Sequence, residues 1–144
     1  MKRYAIGAAV LLLAVAGAYV ALSPATADSS DQGAVMPGAP LLTVQVPVTF
    51  SEAEKMGQRG YDENCATCHG PDAAGRNGMA PPLVHVIYEP SHHGDEAFQR
   101  AAAVGVRSHH WRFGDMPPVP GLTRADVAAI ISYIRALQRE NGIE

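Results

Sequence analysis

Cysteine is nearly absent: among 144 residues only Cys65 and Cys68 carry a thiol. One pair cannot build a multi-disulfide framework. Aromatic side chains are few as well, 6% of the chain, and only seven occur from Phe50 onward. Positive charge is also scarce, with 11 Lys and Arg against 14 Asp and Glu. Setting aside Lys2 and Arg3 leaves nine against those 14, a balance near −5 for the remainder. No basic stripe exists to replace phosphate counterions, which excludes nucleic acid as a partner. A nucleophile elbow, a phosphate-cradling glycine loop and a paired-carboxylate site are all missing, so no small-molecule substrate and no catalytic residue is expected. What the chain does have is apolar residues, 47% of the total. That is too apolar for a disordered tail, and the length suits one domain with appendages.

Part of the apolar content lies at one end. Tyr4 to Leu22 runs 19 residues without a charge, directly after Lys2 and Arg3. A positive start followed by an apolar helix reads as an export signal. Ser23 and Pro24 end it, and Ala25-Thr26-Ala27 offers the small residues that a signal peptidase needs. A bilayer span needs about 20 apolar residues, so residues 4–22 also have the length of a membrane anchor. Both readings of 1–27, signal peptide and anchor, stay open. Each sends the rest across the cytoplasmic membrane to the periplasm. Lys2-Arg3 is not a twin-arginine pair, which points to the general secretion route.

Residues 28–50 read as a linker and an extended arm. Up to about residue 42 the mix of Gly, Pro, Ser and acid favours a linker. Val44, Val46, Val48 and Phe50 then alternate with Thr43, Gln45, Pro47 and Thr49. A period of two predicts an arm with one face on the domain, kept to an edge by Pro47.

Residues 51–144 form the domain. Ser51 and Glu54 make a capping box. Ala53, Met56, Gly57, Gly60, Tyr61 and Asn64 follow on one helical face. Glycine inside a helix costs about 1 kcal/mol relative to Ala, so Gly57 and Gly60 predict the close approach of another helix. Asp95 to Val104 predicts a short helix stopped by Gly105. Thr123 and Asp126 cap a last helix with an apolar stripe of Val127, Ile130, Ile131, Ile134 and Leu137, ended by Asn141-Gly142. Arg135 and Arg139 sit towards its C-terminal end, where cations complement the dipole. Residues 70–90 read as loop. The class is all-α, with three main helices.

Cys65-Ala66-Thr67-Cys68-His69 is a CxxCH sequence. Thiols three residues apart lie on neighbouring helical positions and can add to the two vinyl groups on one edge of a haem. The next residue, His69, then presents its imidazole to the iron. This spacing reads as attachment of one c-type haem. A thioredoxin-like dithiol belongs in a βαβ setting that is missing here. Zinc needs four ligands. A Cys65–Cys68 disulfide would close too small a loop to add much stability.

From about residue 51 to 140 the chain resembles the class I (monohaem) cytochromes c. Gly57 and Tyr61 match the family's glycine and aromatic ahead of the first cysteine. Ile130 and Tyr133 match the pair on its last helix that meets that glycine. Pro81 and Leu83 match a proline and leucine after the histidine. Phe113-Gly114-Asp115-Met116-Pro117 resembles the methionine loop. The N-terminal arm and the His109-His110-Trp111 stretch depart from the pattern. The resemblance implies a fold of three main helices around the haem, a Pro81 carbonyl that accepts from the His69 imidazole, and one-electron transfer between redox proteins.

Met116 is the expected sixth ligand. Its neutral sulfur favours ferrous iron and raises the potential, and two prolines stiffen the loop that follows it. Met79, His109 and His110 are the alternatives. His92-His93 and His109-His110 read as solvated loop residues, with recruitment of a copper ion as the alternative. Trp111 either packs on the porphyrin or donates to a propionate, and Arg107 and Arg112 are candidate propionate partners. Other roles left open are an electron-entry subunit of a larger oxidoreductase and a peroxidase-like or ligand-sensing protein with a labile sixth ligand. The negative charge favours a partner with a basic patch.

Overall fold

The computed structural model describes residues 36–144. The apolar run 4–22 and the Ala25–Ala27 junction lie outside the described residues. Among the described residues no helix is long and apolar enough to cross a membrane, and no strand forms beyond two isolated bridges.

Helix α1 spans Glu52–Asn64. Its start is locally determined: the Ser51 N–H donates to Glu54 Oε2 at 2.8 Å, and the Glu54 N–H donates to Ser51 Oγ at 3.3 Å. The chain bends at Cys65, and the single turn α2, Ala66–His69, carries the second cysteine and the histidine. Helix α3, Asp95–Val104, ends at Gly105, whose φ of +79° is open only to glycine at low cost. Helix α4, Arg124–Glu140, begins with the Thr123–Asp126 box. Short 3-10 turns at Pro71–Ala73 and Val86–Tyr88 punctuate the long loop between α2 and α3.

Helices α1 and α4 cross at Gly57. A Cβ there would lie 1.9 Å from the Ala129 carbonyl oxygen and 3.1 Å from Tyr133 Cβ. At Gly60 it would meet Ile130 Cγ1 at 3.1 Å. Glycine therefore lets two backbones approach where any side chain would hold them apart. Around the crossing Tyr61, Tyr133, Ile130, Ile134 and Leu137 form the core. The Tyr61 and Tyr133 rings stand 5.5 Å apart and Phe50 adds a third at 5.4 Å from Tyr133. The buried face of α1 is narrower than its sequence pattern: Met56, Ala53 and Asn64 are exposed. One partner helix, met at a glycine, covers only the strip from Gly57 to Tyr61.

Two other expectations are corrected. The arm has a period of three, not two. Leu41, Val44, Pro47 and Phe50 turn inward, while Val46 and Val48 are exposed. No neighbouring strand flattens this segment, so it follows the three-residue repeat of an isolated extended chain. The stretch expected as linker is also tied down from Gly38. Gly38 N–H donates to Asn77 O at 2.9 Å, and Leu41 and Leu42 N–H donate to Ala74 O at 3.2 Å each.

Arg135 is not a solvated cation at a helix end. It is buried, donating through Nε to Asp95 at 3.0 Å, through Nη1 to the Tyr88 carbonyl at 2.6 Å and through Nη2 to the His93 carbonyl at 2.6 Å. Gln138, fully buried beside it, donates to the Leu83 and Tyr88 carbonyls at 2.8 and 3.1 Å. Together they satisfy the Leu83, Tyr88 and His93 carbonyls, to which no backbone N–H of the described residues donates. Arg139 pairs with Glu54 at 3.0 Å.

Candidate functional site

A cavity of about 760 Å³ opens between the CxxCH turn, the Ala80–Leu83 loop, α3, α4 and the loop 105–120. Its size lies within the range of cofactor sites. Apolar side chains from separate elements shape its interior, among them Leu83, Phe98, Val127, Ile130 and Ile134.

All four residues singled out from sequence reach this cavity. Cys65 and Cys68 lie on its wall as free thiols, the first half-buried and the second exposed. Burial, helped by the neighbouring Cys68, pushes the Cys65 thiol up to about 11. His69 is buried on the same wall. Its Nδ1 lies 2.9 Å from the Pro81 carbonyl oxygen. A carbonyl can only accept, so Nδ1 carries the proton and Nε2 is left as the lone-pair nitrogen. Burial also lowers the His69 pKa, against the opposing effect of the Pro81 bond. The imidazole is thus held neutral and in one tautomer, the form a metal ligand needs.

The ground under His69 is tight. Gly75 N–H donates to His69 O at 2.7 Å, and a Cβ on Gly70 would lie 2.6 Å from Gly75 O. Tyr61, fully buried, donates its hydroxyl to Gly70 O at 2.8 Å and so ties α1 to the turn.

Met116 is half-buried on the cavity wall. Both its backbone groups pair with Val106, each at 2.9 Å. Ser108 N–H donates to Asp115 at 2.8 Å, and the Ser108 hydroxyl bonds the Trp111 carbonyl. The loop is thereby closed on itself, and Met116 sits at its fixed base. A Cβ on Gly105 would lie 2.5 Å from Met116 O, so glycine there permits the pairing.

Met79, His109 and His110 line the cavity too, as does Arg107, whereas Arg112 does not. The Trp111 indole Nε1–H is buried without an acceptor in hydrogen-bond geometry, although it lies near enough to the Tyr88 hydroxyl to favour that phenolate against the larger effect of burial. Sequence reasoning missed Arg135 and Gln138, which hold the wall at Leu83, Tyr88 and His93. The available signal was a charged and an amide residue set beside the apolar stripe of α4.

A family model described as Cytochrome c matches residues 54–138, more than half of the chain. The chain belongs to the cytochrome c family. No curated protein matches it. Membership implies covalently bound haem c and a role in electron transport. The residues present fit that group: two free thiols on the wall, a neutral buried imidazole with Nε2 available, an apolar cavity of suitable size, and a buried indole N–H without an acceptor.

Proposed function

We propose that this cytochrome is an exported one-electron carrier that holds one haem through Cys65 and Cys68, with His69 and Met116 as the two axial ligands. The observation that supports this best is the convergence of four residues, spread over 52 positions of sequence, on one cavity. When bound, the haem supplies an iron that cycles between ferric and ferrous. The thiols of Cys65 and Cys68 tether it, so it cannot be lost. The Pro81 carbonyl orients His69 and raises its basicity. The Val106–Met116 pairing presents a thioether from a rigid loop rather than a mobile one. His69 and Met116, each anchored in this way, would hold the iron with little rearrangement as its charge changes and would leave no ligand position for a substrate.

The apolar walls exclude water, and the net negative charge steers the protein towards redox partners with basic patches. Small, transient interfaces suit such exchange. Residues 1–27 place the domain in the periplasm, either released by cleavage near Ala27 or anchored through residues 4–22. Mass spectrometry of the purified protein reads the N-terminus and the attached haem in one measurement.

Optical spectroscopy tests the ligand set. The ferric protein is expected to show a weak far-red sulfur-to-iron band, and the ferrous protein no shift with carbon monoxide. Met116→Ala should abolish the band and lower the potential. A variant that keeps both would show that Met116 is not the ligand. A carbon monoxide shift in the parent would favour a labile sixth position, as in a peroxidase-like or sensing protein.

A further inference from the structure

The two histidine pairs, separate in sequence, meet in the fold. His92 and His93 lie between the Val86–Tyr88 turn and α3, and His109-His110 lie in the loop that leads to Met116. His92 Nε2 and His110 Nε2 stand 3.4 Å apart. One nitrogen from each of His92, His93 and His110 falls within 4.8 Å of the other two. We propose that these three imidazoles form a site for one divalent late first-row transition ion, with Cu(II) held more tightly than Zn(II).

The spacing favours an ion over a hydrogen bond. Imidazole nitrogens sit about 2.0–2.1 Å from a zinc ion, so two of them on one tetrahedral ion lie roughly 3.3 Å apart. The His92–His110 separation matches that figure. As a hydrogen bond it is long, since such bonds run about 2.7–3.2 Å. His93 is already oriented: its Nδ1 donates to the Ile87 carbonyl at 2.6 Å, which leaves Nε2 free for the ion. Arg135, bonded to the His93 carbonyl at 2.6 Å, holds that backbone in place.

The donor set selects the metal. Three neutral nitrogens without a thiolate suit copper, zinc and nickel and offer little to magnesium or calcium. Within that group the general order of affinity places Cu(II) above Zn(II). His92 and His110 are exposed and His93 half-buried, so the ion enters from solvent and keeps a fourth position for water. His93 and His110 also line the haem cavity, which puts the ion at its rim. His109 stands outside the triad, with its Nδ1 donating to the Arg107 carbonyl at 2.8 Å.

Calorimetric titration of the full chain carrying its haem, with CuCl2 and then ZnCl2, tests the site. One ion per chain is expected, bound at least about tenfold more weakly by His92→Ala and by His110→Ala. His109→Ala should bind as the parent does. His92 is exposed and does not line the haem cavity, so His92→Ala should leave the visible and circular dichroism spectra unchanged. Paramagnetic resonance of the copper-loaded parent should show coupling to three nitrogens, and to fewer in each of the two variants. Absence of stoichiometric binding would overturn the proposal. So would parental affinity in a His92→Ala, His110→Ala double variant, or an equal response to MgCl2.

Discussion

Substitution of Gly57 by alanine isolates the contact on which the helical frame depends. Two effects oppose each other. Alanine improves intrinsic helix stability by about 1 kcal/mol. Against that, the new Cβ lies 1.9 Å from the Ala129 carbonyl oxygen and 2.6 Å from its carbon, where real contacts stay above 3.0 Å. Both obstacles are backbone, so no rotamer change relieves them, and α1 and α4 must part by about 1 Å. A gap of that size forfeits up to half of each atom-pair attraction of about 0.15 kcal/mol. Over some 40 atom pairs around Tyr61, Ile130 and Tyr133 this comes to about 3 kcal/mol, and overpacking strain adds about 1–3 kcal/mol. The net loss is about 3–5 kcal/mol, or roughly 12–30 °C in the unfolding midpoint of a domain this size. Gly60→Ala is the matched control. Its Cβ meets only the side chain of Ile130, at 3.1 Å, which can turn aside. That variant should stay within about 1 kcal/mol of the parent, because the gain in propensity offsets the crowding. Thermal unfolding of the haem-loaded proteins by circular dichroism measures both. If Gly57→Ala is as stable as Gly60→Ala, the claim of backbone contact at the crossing is refuted.

Arg135→Met keeps the packing of the side chain stem but strips donors from the Tyr88 and His93 carbonyls, and should cost about 2–3 kcal/mol in denaturant unfolding. A loss below that of an ordinary surface change would show that water replaces the guanidinium. Stability should also fall in acid. His69 has its pKa lowered by burial, so the unfolded chain takes up a proton that the folded one refuses. This contribution is present above about 6.5 and is lost as pH drops below it. The alkaline side has the opposite sign: burial raises the Tyr61 and Tyr133 hydroxyls, so stability declines as pH climbs past about 10. Tyr61→Phe should flatten that limb while costing about 1 kcal/mol near neutrality through the lost Gly70 bond. A Cys65→Ser, Cys68→Ser protein made without haem should lack a cooperative thermal transition. Without the haem, the apolar walls of the cavity, among them Leu83, Phe98, Val127, Ile130 and Ile134, face water instead of a buried partner, and the stabilisation that comes from a group bound only by the native state is lost. A sharp transition in that variant would show that the chain folds without its cofactor.

The clearest readings from sequence were the local ones. Capping boxes at Ser51 and Thr123, the stop at Gly105 and the attachment turn at Cys65–His69 are each written within five residues, because the groups involved bond their own neighbours. The Gly57 contact with α4 was legible too, since two glycines inside a helix violate propensity and need a reason. Placement of Met116 was legible as a motif, but the Val106 pairing that anchors it was not, for its partner lies across a loop of no regular pattern. The arm misled because alternation in sequence implies a flat strand only when a sheet is there to flatten it.

Long-range polar satisfaction was the other thing that sequence hid. Arg135 looks like any cation near a helix end. Only the folded chain shows that the Tyr88 and His93 carbonyls, left without backbone partners, converge on it. The same holds for the histidines. Two pairs 17 residues apart carry no spacing rule, and it is the path of the loops around α3 that brings three imidazoles together. The chain's own order thus determined the helix limits and the haem-bearing turn, where cause and effect are adjacent. Which distant atoms share a cavity, a carbonyl or an ion depended on packing, because that energy belongs to groups the sequence keeps apart.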